Sequence, residues 1–324
     1  MSEVLLQVRG MRVVFGRHAA IREVDLDLHA GETLGLVGES GSGKSSLARA
    51  ILRLIPAARG TVHWRGEDLL SASAARLREL RRDLQIVFQD PTTSLNPRMR
   101  VGDAIAEPLS IFEPRLAASL RRSQVADMLE RVGLHADMVG RYPHELSGGQ
   151  CQRVAIARAM ILKPKLLICD EPVSSLDVSI QGQIVNLLAD LQSQFGTALL
   201  FISHNLAVVR HLSERIMVLY LGRCVELAAR DEFFTRPLHP YSQALLAAAS
   251  RIAPASLSAV SQTPPEAAGC PYRERCSWAI GLCQSIDPPL SEVVPHHFAA
   301  CHRAREFCAA GQVSSRADSA ILRP

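Results

Sequence analysis

The sequence predicts an α/β fold, and three stretches carry that prediction. Thr33–Val37 is a short apolar strand that delivers the chain to Gly38-Glu39-Ser40-Gly41-Ser42-Gly43-Lys44-Ser45, after which the pattern turns helical. Residues 166–169 and Ala198–Ile202 are nearly all-apolar runs separated by a helix-sized segment, the texture of buried parallel strands. A strand, a glycine-rich loop and a helix in that order form a P-loop, so the core is read as a parallel sheet built to hold a nucleotide.

Element by element, the first third reads as strands. Val24, Leu26 and Leu28 alternate with Asp25 and Asp27, as in a half-buried strand, and Gly31 makes a turn before Thr33. The helix after Lys44 is expected to run through Leu54, with Pro56 stopping it. Residues 61–65 and 84–88 are further strand candidates. From 91 to about 163 the texture changes: Val125, Met128, Leu129 and Val132 form a helical stripe, and Pro91, Pro97, Pro108, Pro114 and Pro143 punctuate the region. This segment reads as a helical insertion between two strands of the sheet. The expected organisation is a main domain over 1–250, a linker over 251–268, a cysteine-bearing module over 269–310 and a disordered tail over 311–324.

Composition excludes some functions. With 48% hydrophobic and 21% charged residues the chain is an ordinary globular protein, and a net charge of +4 is too mild to argue for a nucleic-acid partner. The basic run Arg76, Arg78, Arg81 and Arg82 reads as a solvated helix face. Met1-Ser2-Glu3-Val4 lacks a basic region followed by an apolar one, so no targeting segment is expected. The longest apolar pieces, such as 244–249, are of core-helix length, and any membrane role is expected through a partner. Cys151, Cys169 and Cys224 read as small buried hydrophobes, whereas Cys270, Cys276, Cys283, Cys301 and Cys308 crowd the last fifth and read as ligands rather than disulfides.

The chemistry concentrates at strand ends. In the P-loop the backbone N–H groups would close on phosphates, Lys44 would contact the β- and γ-phosphates, and Ser45 would give its hydroxyl to Mg²⁺, with Ser46 completing the turn. Asp170 and Glu171 end an apolar run as adjacent carboxylates, unfavourable without a cation nearby. Asp170 suits Mg²⁺, and Glu171 suits the base that polarises an attacking water, the alternative being a cap on the segment that begins at Pro172. Gln89 follows a strand and could reach the metal or the water; His204 follows another and could reach the γ-phosphate; Phe15 could stack on adenine or be an ordinary core residue. Leu146-Ser147-Gly148-Gly149-Gln150 is a second glycine-rich turn running into a helix. Two phosphate-grade turns beside one nucleotide point to an ATPase working as a pair.

In order and in type, the P-loop, Gln89, the turn 146–150, Asp170-Glu171, Ser174-Ser175-Leu176-Asp177 and His204 resemble the motifs of the ATP-binding cassette (ABC) ATPases over roughly residues 4–250. The resemblance implies a RecA-like P-loop NTPase core with an N-terminal antiparallel β-subdomain and a helical signature subdomain. It also implies a head-to-tail dimer with a second, identical or paralogous ABC ATPase, in which Ser147, Gly148 and Gly149 bind the partner's γ-phosphate and Asp177 lies at the interface.

Other stretches narrow the resemblance. Gln89-Asp90-Pro91-Thr92-Thr93-Ser94-Leu95-Asn96-Pro97, Arg141-Tyr142-Pro143-His144-Glu145 and Pro237-Leu238-His239-Pro240-Tyr241-Ser242-Gln243-Ala244-Leu245-Leu246 are similar to dipeptide, oligopeptide and nickel importer ATPases. That implies two transmembrane permeases, an extracytoplasmic solute-binding protein acting indirectly, and a peripheral position on the cytoplasmic face of the inner membrane. Cys270, Cys276, Cys283 and Cys301 match the subfamily's C-terminal domain, which implies a [4Fe–4S] cluster; by spacing alone Zn²⁺ or no metal stays open, with Cys308 and His302 as bystanders. Cys151 stands where Arg is usual, Asn205 where Asp is usual and Val173 where Thr is usual; Cys151 is expected to alter the electrostatics beside a partner's ATP. The competing class, an ABC ATPase acting on nucleic acid, would carry a coiled coil, a large zinc insertion or a second cassette.

Overall fold

The computed structural model describes residues 3–249 and 268–309. The expected linker and tail lie outside the described residues, apart from residue 268. Twelve strands form one sheet. In chain order they are β1 (Val4–Phe15), β2 (His18–His29), β3 (Thr33–Val37), β4 (Arg59–Trp64), β5 (Glu67–Asp68), β6 (Leu84–Val87), β7 (Leu166–Asp170), β8 (Ala198–Ile202), β9 (Arg215–Tyr220), β10 (Arg223–Ala229), β11 (Ser291–Val294) and β12 (His297–Ala299).

Their order across the sheet is β5-β4-β1-β2-β10-β9-β3-β8-β7-β6, with β12 pairing β10 and β11. Strands β5, β4, β1 and β2 form an antiparallel arm. Strands β9, β3, β8, β7 and β6 run parallel. The arm meets the rest at a single parallel pair, Arg223 with Glu23. The parallel half is what the apolar runs anticipate, and the antiparallel arm is what the family resemblance implies.

The parallel strands are short and largely apolar because both faces are covered. In β7, Leu167 and Cys169 enter one core cluster and Leu166 and Ile168 the other. The first cluster continues into the helical insertion, where Val125, Met128, Leu129 and Val132 are all buried, as their stripe requires. That insertion, with helices Val101–Phe112, Ala118–Arg131 and Gly148–Met160, lies between the neighbouring parallel strands β6 and β7.

One helix reading needs correction. The helix after the P-loop spans Lys44–Ile51 and stops before Leu54. Arg53 enters the left-handed region, φ 53°, while Arg53 N–H donates to the Ala50 carbonyl and Leu54 N–H to that of Arg49. That pair of bonds closes the helix as a Schellman motif ahead of Pro56. The apolar piece 244–249 lies in the helix Pro240–Ala249, whose buried residues are Pro240, Tyr241 and Ser242; the apolar end is only half-buried at best. Arg76, by contrast, lies on a solvated face and pairs with Glu67 and Glu79 as expected.

Candidate active site

The P-loop leaves β3 and enters helix Lys44–Ile51 through Gly43, which caps the helix at φ 104°. A Cβ there would stand 2.7 Å from Ile21 Cδ1 and against the Ala20 carbonyl, so only glycine fits. No acidic residue occupies the first turn of this helix, which leaves its N-terminal dipole to an anion. Lys44 is buried, and its ammonium donates to the carbonyls of Gly38 at 2.8 Å and Glu39 at 2.9 Å. Burial lowers its pKa, against the opposing pull of Glu171, Asp170 and Glu39. Ser40 and Gly41 are exposed, Ser42 is buried, and Ser46 is partly buried in the first turn.

Asp170 ends β7 directly beneath this loop. Its Oδ1 accepts from the Ser45 hydroxyl at 2.7 Å, while the buried Oδ2 has no hydrogen-bond partner. Arg49 lies 3.8 Å from Oδ2 and is half-exposed, too far and too solvated to satisfy it. Burial raises the pKa of Asp170, with the Ser45 hydrogen bond opposing. An unsatisfied buried carboxylate oxygen costs roughly 1–3 kcal/mol. An oxygen-lined position next to a hydroxyl is what a hard divalent cation takes, so Ser45 and Asp170 fit Mg²⁺.

Glu171 is strained where it stands. Its φ of 49° is left-handed, a conformation that costs a non-glycine residue about 1 kcal/mol. Its N–H donates to the Ile202 carbonyl at 3.0 Å, and its carbonyl accepts from the Ser174 hydroxyl at 3.1 Å. These bonds hold the turn, and the side chain is aimed away from a capping role. Its Oε2 lies 3.3 Å from Gln89 Nε2 and 3.3 Å from His204 Nδ1. The ends of β6 and β8 thus bring two polar side chains onto one carboxylate oxygen of Glu171, which follows β7. Phe15 sits half-exposed at the end of β1, in the hairpin whose second strand sets Ala20 against Gly43.

The second glycine-rich turn is built differently. Ser147 caps helix Gly148–Met160, its Oγ accepting from Gln150 N–H while Gln150 Oε1 accepts from Ser147 N–H at 3.0 Å. This capping box contributes about 1 kcal/mol to the helix. Leu146 packs on the core, whereas Ser147 and Gly148 are exposed. A Cβ on Gly149 would stand 2.8 Å from Ile180 Cγ2, so the turn is pressed against the helix Val178–Phe195. Asp177 caps that helix without a side-chain bond and is exposed, next to Val178 at 84% exposure. The structure therefore brings the P-loop, Gln89, Asp170, Glu171 and His204 together. Residues 146–150 and Asp177 form a separate exposed surface.

Two departures from the family pattern resolve physically. Cys151 is a buried small hydrophobe, as its composition reading expects: it is 1% exposed, its thiol donates to the Pro143 carbonyl at 3.4 Å, and burial pushes its thiol pKa up. Asn205 caps helix Leu206–Leu212, its Oδ1 accepting from Ala207 N–H at 3.1 Å, as an aspartate would.

Cys270, Cys276, Cys283 and Cys301 line one cavity, together with His302. Burial raises the thiol of Cys270, and pushes that of Cys301 to about 11. Among the described residues, however, no three His, Cys, Asp or Glu side chains stand close enough to hold a metal ion. The donor set suits a thiophilic group, while the expected cluster or zinc gains no direct geometric support. Cys308 belongs instead to a small apolar cluster with Leu238, Ala299 and Ala304.

Sequence reasoning passed over two residues that touch the P-loop. Tyr241 Oη accepts from Glu39 N–H at 2.8 Å, and Arg275 grips the Glu39 carboxylate with two hydrogen bonds. Both lie in stretches singled out for resemblance alone, with no chemistry attached.

Comparison with known proteins places these features. The ABC transporter family model matches residues 21–174, and that of the oligopeptide/dipeptide transporter C-terminal region matches 225–283. The oligopeptide transport ATP-binding protein OppF of Haemophilus influenzae is 48% identical over 291 residues, covering 87% of this chain and 88% of that protein. The di/tripeptide transport ATP-binding protein DppF of Pseudomonas aeruginosa is 46% identical over 308 residues, covering 91% and 94%. Among solved structures, the ATP-binding cassette MJ0796, in a dimeric post-hydrolysis state bound to ADP and Pi, aligns with a TM-score of 0.64 at 29% identity, covering 70% of this chain and 99% of that one. CbiO1 from Clostridium perfringens, part of the transporter complex cbiONQ, aligns with a TM-score of 0.65 at 26% identity, covering 72% and 91%.

Proposed function

The chain belongs to the ATP-binding subunits of oligopeptide and dipeptide ABC transporters, and from that premise we propose that it hydrolyses ATP to energise peptide uptake. Two such subunits, identical or paralogous, close head to tail around two ATP molecules and reopen after hydrolysis. Permease subunits resting on the helical insertion convert that motion into transport, which keeps this chain on the cytoplasmic face of the membrane. A ligand drives such a cycle only if it distinguishes closed from open. The γ-phosphate does so, because the donors of the turn 146–150 reach it only from the partner.

Within the site, residues 38–46 cradle the phosphates and Phe15 stacks on the base. Ser45, Asp170 and Gln89 hold Mg²⁺, which supplies charge neutralisation on the phosphates when bound. Glu171 orients and deprotonates the attacking water, and His204 and Gln89 fix its carboxylate. The observation that carries the reading is the convergence of Gln89, Glu171 and His204 within 3.3 Å beside a P-loop and an orphaned Asp170 oxygen. The test is ATP-driven peptide uptake into vesicles holding the assembled importer. Uptake should require this subunit with Lys44 intact, and uptake that persists with Lys44→Ala in every copy would end the proposal.

Cys270, Cys276, Cys283 and Cys301 we assign to a structural [4Fe–4S] cluster. Four thiols lining one cavity suit a thiophilic group, and four-thiolate ligation is what such a cluster takes. Anaerobically purified protein should carry iron and acid-labile sulfide; zinc without iron would decide for the simpler ion.

A further inference from the structure

Glu39 is the first residue of the P-loop whose side chain leaves the loop, and all of its polar groups are occupied. Its N–H donates to Tyr241 Oη at 2.8 Å, and its carbonyl accepts from Lys44 at 2.9 Å and from Ser42 N–H at 3.1 Å. Its two carboxylate oxygens accept from Arg275 at 2.8 and 2.9 Å. Arg275 comes from a tight turn between Cys270 and Cys276, in which Arg275 N–H donates to the Tyr272 carbonyl and Cys276 N–H to that of Arg273. Two rings hold its guanidinium: it lies 5.9 Å from the centroid of Tyr220 and 5.6 Å from that of Tyr272. Tyr220, Tyr241 and Tyr272, three of the chain's four tyrosines, pack together with centroids 4.5 to 5.5 Å apart.

The far side of this bracket is anchored as well. The buried Glu226 carboxylate accepts from the N–H groups of Leu238 and His239 and lies 2.8 Å from His297 Nε2. His239 Nδ1 then accepts from Tyr241 N–H at 3.0 Å. The 237–241 stretch and the cysteine-flanked turn therefore converge on one P-loop residue.

We propose that Arg275 is a positioning residue for the nucleotide site, clamping Glu39 so that the Cys270–Cys276 turn sets the affinity of the P-loop for ATP. The proposal rests on reading 38–45 as the ATP site. When a nucleotide arrives, Lys44 must release the Gly38 and Glu39 carbonyls to reach phosphate. Arg275 and Tyr241 then hold the start of the loop while the rest of it closes. The Arg275 and Glu39 side chains are 17% and 32% exposed, so the pair is largely shielded from solvent. Its bidentate fork fixes direction, which a lysine cannot reproduce.

The experiment titrates a fluorescent ATP analogue into the full-length chain and records thermal melting in parallel. Arg275→Ala should weaken binding roughly tenfold in a chain that still melts cooperatively. Arg275→Lys, which keeps the charge and most of the stem, should recover only part of that loss and decides the matter if the alanine variant fails to fold. Tyr241→Phe should weaken binding by removing one hydroxyl. In the double-mutant cycle, Glu39→Ala should add nothing to Arg275→Ala. Cys276→Ser should weaken binding in the same direction and likewise add nothing to Arg275→Ala. Wild-type affinity in the folded Arg275→Ala chain, or full additivity with Glu39→Ala, overturns the clamp. Lys44→Ala separates the two readings: if it binds the analogue as tightly as wild type, the ATP-site assignment fails rather than the clamp.

Discussion

Two glycine-rich turns in this chain look alike in sequence and differ in everything around them. The turn at 38–45 is furnished from within: Lys44, Ser45, Asp170 and Glu171 surround it, and an orphaned carboxylate oxygen waits for a cation. The turn at 146–150 has its own capping box and little else, with Ser147 and Gly148 facing outward. The second turn presents a helix N-terminus to solvent beside an exposed Asp177 and Val178. Under the proposed function, the first turn binds a nucleotide alone and the second acts on a nucleotide brought to it.

The sharpest way to break that contrast is at Glu171. Glu171→Gln should leave ATP binding intact, trap a closed dimer and lower turnover by about 10³-fold, the scale of a lost general base. Unaltered ATPase activity would remove Glu171 from that role. Lys44→Ala should weaken nucleotide binding to the isolated chain by about 30-fold, a lost charge-assisted contact, readable by equilibrium titration.

A smaller effect concerns stability. Asp170 has a pKa raised by burial, so the folded state holds its proton more tightly than the unfolded state does. The resulting penalty grows as pH rises from the unfolded value of 3.8 through the raised folded value. Asp170→Asn should therefore stabilise the nucleotide-free protein at pH 7 by about 1 kcal/mol while abolishing Mg²⁺-dependent turnover. Calorimetry with and without nucleotide checks both halves.

A second pH effect belongs to His239, whose pKa burial pushes down to about 4. The unfolded chain takes up a proton near 6.5 while the folded imidazole stays neutral, so stability should fall as pH drops from 6.5 toward 4. His239→Asn, which keeps an acceptor for Tyr241 N–H, should flatten that decline in acid melting curves.

Most of the P-loop side of the contrast was legible in the sequence, for a physical reason. Phosphate chemistry needs glycines, Lys44 and Ser45 at fixed spacing, and parallel strands must be apolar on both faces, so local composition carries the message. The helical stripe from Val125 to Val132 was equally plain. What local pattern could not carry was long-range pairing. Nothing near Glu39 announces Arg275, which lies 236 residues away and meets it only because β10, β12 and Glu226 fold the C-terminal segment back. Cys151 is buried in the core, as its reading as a small hydrophobe expects. The helix after Lys44 was read too long because Arg53 adopts a left-handed φ that an arginine rarely takes.

The contrast between the turns is tested most directly by Ser147→Arg, which fills the exposed turn without touching the P-loop. ATP affinity of the isolated chain and ATPase turnover of the assembled importer should be measured on the same variant. The account predicts wild-type affinity in the isolated chain and loss of turnover in the assembly. Loss of affinity in the isolated chain, or turnover undisturbed in the assembly, would show that the second turn does not serve a partner's nucleotide.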